Sequence, residues 1–243
     1  KAAVNLVRLQ EGEKIAAFVA CRDFQAEGHI VLATRKGVIK KTALASFSKP
    51  RPGGIIALSV EEDDALIDAI QTTGADQLLL STRGGMAIRF EETDARPMGR
   101  TAYGVKGIDL DEGDAVVSLE VVRESGRVLT VCENGYGKCT PVEEYRIQGR
   151  GGKGIINIKT EGRNGAVIGV IFISGDEGVM LITGKGMIIR TRSTEISTMG
   201  RNTQGVRLIQ TDDGDQLVSI ARLAEKDETA ETGDTAEDEA PTA

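Results

Sequence analysis

The chain has 243 residues, a formal net charge of −7 and 40% apolar residues, with no Trp, three Tyr and five Phe. A core is affordable, and it must be built of Val, Ile and Leu, the residues that suit pleated sheets. Three cysteines without ligand spacing and a single histidine, His29, argue against a zinc site and a disulfide framework and point to a reducing, cytoplasmic setting; no apolar run approaches the ~20 residues of a membrane-spanning helix.

Residues 1–27 read as the second half of a repeat, with VNLVRL strand-like, EGEK a turn and IAAFVACRD a second strand. The chain begins inside that unit and without a methionine, so it reads as a fragment of a longer protein. Four full copies follow, at 28–74, 75–125, 126–175 and 176–223. Each opens on a buried-type apolar strand, HIVLAT, DQLLLST, RVLTV or GVMLIT. A tight turn then places Gly37, Gly85, Gly135 or Gly186 where a hairpin needs positive φ. The return strands VIKKT, MAIRF, YGKCT and MIIRT alternate apolar with basic residues, the pattern of a half-exposed strand.

The third part of each copy is a basic glycine loop: SKPRPGGI, RPMGRTAYGVK, YRIQGRGGKG or TMGRNTQGVR. Its closing glycines, Gly54, Gly104, Gly154 and Gly205, recur about every 50 residues, the signature of a repeat array. Each loop runs into a short apolar strand. The fourth part is a turn read as acidic, EEDDA, DEGDA, GRNGA or DDGDQ, and a last strand. Four strands per ~50 residues is the arithmetic of a propeller-like blade, so residues 1–223 are expected to form one all-β array. Helix is nearly absent from the pattern; ETDAR and PVEEY suit a single turn. From 224 to 243 apolar residues thin out and acids accumulate, which predicts a disordered acidic tail.

Most of the Lys and Arg of the body fall in the hairpin turns and glycine loops, while the acids gather around Glu61–Asp64, Asp111–Asp114 and Asp212–Asp215. A circular array would align the basic segments on one ring, suited to a polyanion that meets each blade through its phosphates. The competing reading is that a surface needs charge for solubility. Asp111, Glu112 and Asp114 lack EF-hand spacing, so no metal site is expected.

At QGRGGKG, Gln148–Gly154, at MGRNTQGV, Met199–Val206, and in the NGYGK of the third hairpin, the sequence resembles the family of DNA gyrase A C-terminal domains. The resemblance covers nearly the whole chain. It implies a β-pinwheel, a propeller-like disc whose blades exchange strands, with double-stranded DNA wrapped on the outer rim. It also implies partners, the upstream part of the gyrase A subunit together with the gyrase B subunit in an A2B2 holoenzyme, with ATP and Mg²⁺ used by the whole enzyme and no cofactor in this chain. The family's seven-residue box has a basic residue where this chain has Gly149, and it belongs in the first blade; the nearest match here lies in the third full repeat, so the first blade is expected to lie upstream.

Carried over by position, Gln148, Arg150, Gly151, Gly152, Lys153 and Gly154 are DNA-contact candidates. Arg100, Lys106, Arg201 and Arg207 occupy sister loops. Arg35, Lys36, Lys40, Lys41, Lys185, Arg190 and Arg192 belong to the hairpins. Tyr103, Tyr136 and Tyr145 lie near basic loops, but no copy sets an acidic metal cluster beside its tyrosine, so the chain itself is not expected to be catalytic. The alternatives are the related C-terminal domain of the topoisomerase IV C subunit, and a protein-binding propeller scaffold, which would show an apolar or aromatic hot spot.

Overall fold

The first two parts of every repeat fold as an antiparallel hairpin. Numbering strands along the chain, the hairpins are β1 (His29–Thr34) with β2 (Val38–Ala43), β4 (Gln77–Thr82) with β5 (Met86–Glu91), β8 (Arg127–Cys132) with β9 (Tyr136–Pro141), and β12 (Gly178–Thr183) with β13 (Ile188–Arg192). The turn glycines all have positive φ, between 82° and 89°. The computed structural model describes Leu9, residues 12–51 and residues 53–223; the tail expected over 224–243 lies outside the described residues.

The last part of each repeat returns along the other side of its own first strand, as β3 (Leu66–Thr72), β7 (Val116–Val122), β11 (Val167–Ile173) and β15 (Leu217–Arg222). Each of these pairings carries a register shift at its start, between Ala33 and Thr34 in the first copy and at the matching residues in the others. A bulge repeated four times is part of the architecture, since it adds twist at a fixed point of every blade.

The fourth strand comes from the next repeat. β6 (Val105–Lys106) pairs with β2, β10 (Ile155–Ile156) with β5, and β14 (Val206–Arg207) with β9. The sheet orders are β3-β1-β2-β6, β7-β4-β5-β10, β11-β8-β9-β14 and β15-β12-β13. The stretches expected to be apolar strands thus contribute only two paired residues each, and in the first repeat Ile55 and Ile56 form no strand among the described residues. Single 3-10 turns stand at Glu92–Asp94 and Val142–Glu144, as expected, and also at Leu44–Phe47 and Ser193–Glu195.

The core lies between sheets. Val31, Ala33 and Ile39 meet Leu78, Leu80, Ile88 and Phe90; Leu79 and Val122 meet Val128, Tyr145 and Phe172; Leu129 and Val131 meet Val179, Leu181 and Leu217. Successive side chains of a strand point to opposite faces, so a strand covered on both faces is apolar throughout. That is why HIVLAT and DQLLLST show no alternation. Each fully buried Leu or Val contributes about 1.5–3 kcal/mol.

At the inner edge β3, β7, β11 and β15 stand side by side, and their free edge groups need partners. The Val170 N–H donates to Ser118 Oγ at 2.8 Å, and the Phe172 N–H to the Glu120 carboxylate at 3.2 Å. Burial pushes the Glu120 carboxyl up to about 7, offset in part by the Phe172 donor and by Arg222. Among the described residues no helix is long and apolar enough to cross a membrane.

Candidate nucleic-acid interface

The two-residue strands β6, β10 and β14 lie at the edge of each sheet opposite the inner strands, and they bring the basic loops with them. Gly154 closes its loop at φ +77°, and a Cβ there would sit 2.4 Å from the Ala87 carbonyl of the preceding sheet. Gly205 stands in the same relation to the Gly137 carbonyl, also at 2.4 Å. The loop must touch the neighbouring ladder, and only glycine lets it.

The same joint is built three times. A backbone N–H of one repeat donates to a carbonyl in the loop of the next: Ser59 to Ala102, Asp109 to Gly152, Lys159 to Thr203, at 3.3, 2.9 and 2.9 Å. Beside each, a loop arginine reaches back across the joint. Arg100 donates to the Ile56 carbonyl at 3.0 Å, Arg150 to the Lys106 carbonyl at 2.9 Å, and Arg201 to the Ile156 carbonyl at 2.7 Å. Arg150 adds a second bond to the Asp94 carbonyl. A guanidinium has five donors, so each of these half-buried groups keeps others for a ligand while its plane is held still.

The remaining residues of the Gln148–Gly154 motif fall in two sets. Gln148 is tied by its N–H to the Arg89 carbonyl, and Gly151 by its N–H to the Gly107 carbonyl. Gly152 and Lys153 are exposed, with Lys153 paired to Asp111 at 2.5 Å. Lys106 is exposed and paired to Asp109 at 2.7 Å. Exposed pairs of this kind contribute little to stability, so a phosphate can replace the carboxylate.

The hairpin residues correct the reading of the return strands as half-exposed in the first three repeats, while β13 alternates between exposed and half-buried as expected. Lys40 and Lys41 are buried, not presented to solvent. Lys40 Nζ donates to the carbonyls of Ala57 and Arg100, and burial brings its pKa down to about 8. Lys41 Nζ donates to the Glu92 carbonyl at 3.0 Å and lies 3.7 Å from the buried Glu92 carboxylate. Both fasten one sheet to the next repeat. Lys138 repeats the Lys40 arrangement on the carbonyls of Gly200 and Arg201, and Arg89 serves the second joint through the carbonyls of Val142 and Tyr145.

The acidic turns likewise meet the basic hairpins instead of forming a separate zone. Asp64, Asp114 and Asp215 cap the turn N–H groups of Lys36, Gly84 and Lys185 at 2.9, 2.7 and 3.1 Å. Lys36 pairs with Glu61 and Asp63, Arg35 and Lys185 donate to the carbonyls of Asp63 and Asp213, and Arg192 pairs with Asp176. Arg190 is exposed on β13. GRNGA, read as an acidic turn, carries Arg163 where the sister turns carry Glu62, Glu112 and Asp213.

Two of the tyrosines weighed as nucleophiles are enclosed. Tyr145 is fully buried with its hydroxyl on Asn157, and burial raises its pKa above the ordinary tyrosine range. Tyr136 lies beneath Arg163 and Arg207, whereas Tyr103 is exposed in the second loop. Among the described residues no group of three or more His, Cys, Asp and Glu is placed to hold a metal ion. Arg163 was missed in the sequence; its signal was a basic residue at a position where every sister repeat has an acid.

A family profile described as "DNA gyrase C-terminal domain, beta-propeller" matches residues 28–73, 76–123, 127–174 and 179–224. The DNA gyrase A subunit of Salmonella typhimurium is 44% identical over 222 residues, covering 91% of this chain and 25% of that protein. The chain therefore spans about a quarter of the length of such curated relatives. A solved structure described as "Structure of DNA gyrase A C-terminal domain" aligns with a TM-score of 0.83 and 26% identity, covering 92% of this chain and 75% of that one. A second, "Crystal structure of the C-terminal domain of DNA topoisomerase IV", shares the fold at a TM-score of 0.85 and 23% identity, covering 92% and 70%.

Proposed function

The chain belongs to the family of DNA gyrase C-terminal domains, and from that membership we propose that it is the DNA-binding and DNA-wrapping domain of a gyrase A subunit. In this reading it engages double-stranded DNA in the bacterial cytoplasm. It works with the upstream part of its own polypeptide and with the gyrase B subunit in an A2B2 holoenzyme, and it supports ATP-dependent negative supercoiling. ATP and Mg²⁺ act elsewhere in that assembly, and this chain contributes shape and charge but no catalytic residue.

The observation that carries the proposal is the thrice-repeated joint, which holds Arg100, Arg150 and Arg201 at matching places along the outer edge. Smoothly bending a 20–30 bp site by 40–90° costs of order 1–6 kcal/mol, so wrapping needs many fixed phosphate contacts. Each neutralised phosphate should lower the slope of log K against log salt by ~0.9.

The test is to re-ligate a nicked plasmid with and without the protein and read the linking number. A positive shift, with affinity falling steeply as salt rises, is the expected result. Steep binding without a shift would favour the topoisomerase IV-like alternative, whose fold is equally close. Binding insensitive to salt would overturn the DNA-contact reading altogether.

A further inference from the structure

The third repeat differs from its sisters at one spot. Its hairpin carries Tyr136 where the other turns carry Val38, Met86 and Met187, and its later turn carries Arg163 in place of an acid. The fold brings the two together with Arg207, which faces Tyr136 across the β14–β9 pairing. Arg207 donates to the Tyr136 hydroxyl from Nη2 at 2.8 Å and from Nε at 3.3 Å. The guanidinium carbons of Arg163 and Arg207 lie 4.7 and 5.4 Å from the ring centroid. Arg163 is anchored further by a bond to the Gly205 carbonyl at 3.0 Å.

Two cations held on one ring repel each other, and a nearby carboxylate would offset that, as it does for several other exposed basic groups of this fold. Lys36, Lys106, Lys153 and Arg192 each have a carboxylate within 4 Å. Among the described residues neither Arg163 nor Arg207 has an ion pair, and both are exposed. The cation–π contacts and the hydroxyl fix both guanidinium planes in advance, so a ligand that takes them loses little side-chain freedom. A phosphate oxygen pair fits such forks, and its charge relieves the repulsion.

We propose that Arg163 and Arg207, held on Tyr136, form a discrete phosphate clamp that takes a backbone phosphate of the bound duplex at the third repeat. This rests on the DNA-binding reading above. The clamp makes the DNA track uneven, with one blade gripping more firmly than its neighbours, whose turns are acidic.

The experiment is fluorescence anisotropy of a labelled duplex of about 40 bp across a salt series, with the whole chain as wild type, R163Q, and R163Q/R207Q. Removing one phosphate from the set the protein neutralises should make the salt slope shallower by about 1 in the double variant. Affinity near 0.1 M salt should fall about tenfold, with R163Q, which touches only the ring and one carbonyl, showing part of that decrease. A steep wild-type slope with both variants unchanged would overturn the clamp alone. A flat wild-type slope would overturn the DNA reading and the clamp with it. A parallel titration with inorganic triphosphate distinguishes the source of the anion: micromolar binding abolished in R163Q/R207Q would reassign the clamp to free polyphosphate.

Discussion

At the scale of single residues, Lys138 shows how a charge that reads as surface becomes part of a joint. It is fully buried, and its Nζ donates to the carbonyls of Gly200 and Arg201 at 2.5 and 2.7 Å. Burial lowers its pKa from 10.5 to about 8, against the pull of Glu144. Below pH 8 the lysine is charged in both folded and unfolded chains, and its desolvation penalty is constant. Between about 8 and 10.5 the unfolded chain keeps a proton that the folded chain has released, so this group adds stability as the pH rises. Buried Cys132, pushed up to about 12, acts in the opposite sense, because the folded chain then holds the proton longer than the unfolded one. The effect is therefore read as a difference. Lys138→Met should lower stability by ~1–3 kcal/mol at pH 7 by stranding two carbonyls. The gap between wild type and variant in urea midpoint should widen from pH 8 to pH 10; a gap that narrows would contradict the assignment. Nothing in YGKCT tells Lys138 from an exposed lysine, since the covering loop comes from residues about 60 positions later.

At the scale of elements, the hairpins were legible because each is local: an apolar strand, a glycine turn and a return strand in contiguous sequence. The donated strands were legible as short apolar strands following the loops, but neither their two-residue length nor their partners were. Two residues carry no periodicity, and the pairing of Ile155 with Ala87 or Val206 with Gly137 depends on geometry between repeats. The glycines that precede them allow a direct test. Gly154→Ala adds left-handed strain and places a Cβ 2.4 Å from the Ala87 carbonyl, whereas Gly54, at φ +81°, has nothing within 4 Å. Gly54→Ala should cost ~1 kcal/mol, the left-handed penalty alone, and Gly154→Ala ~3 kcal/mol or more. Thermal unfolding of the two variants checks this, and equal midpoints would count against the donated strand as a stabilising element. The first three return strands mislead for a related reason: their basic alternation suggests an open face, but the neighbouring repeat covers it, whereas β13 keeps the open pattern.

At the scale of the whole molecule, the joints between repeats set where the basic groups stand relative to one another, and so the path that a bound duplex must follow. Arg100, Arg150 and Arg201 serve both ends, since each bonds a carbonyl of the preceding repeat and offers its remaining donors outward. Replacing all three with lysine keeps the charge and removes the planar fork. The linking-number shift per bound protein should then fall by about half or more, while affinity at low salt stays within about threefold, because non-specific binding follows charge. Parallel decreases in both would mean that these arginines act as charge alone.

What the sequence by itself determined is the all-β class, the period of about 50 residues, the hairpin in each copy and the places where basic loops recur. These follow from contiguous patterns whose physics is local: side-chain alternation, turn chemistry and spacing. Only the tertiary structure decided which two residues each of the first three sheets borrows from a later repeat, that Lys40, Lys41 and Lys138 are buried fasteners, and that Tyr136 gathers Arg163 and Arg207. The partners in these contacts lie tens of residues apart, and burial depends on which strand covers which, so no local pattern could carry that information.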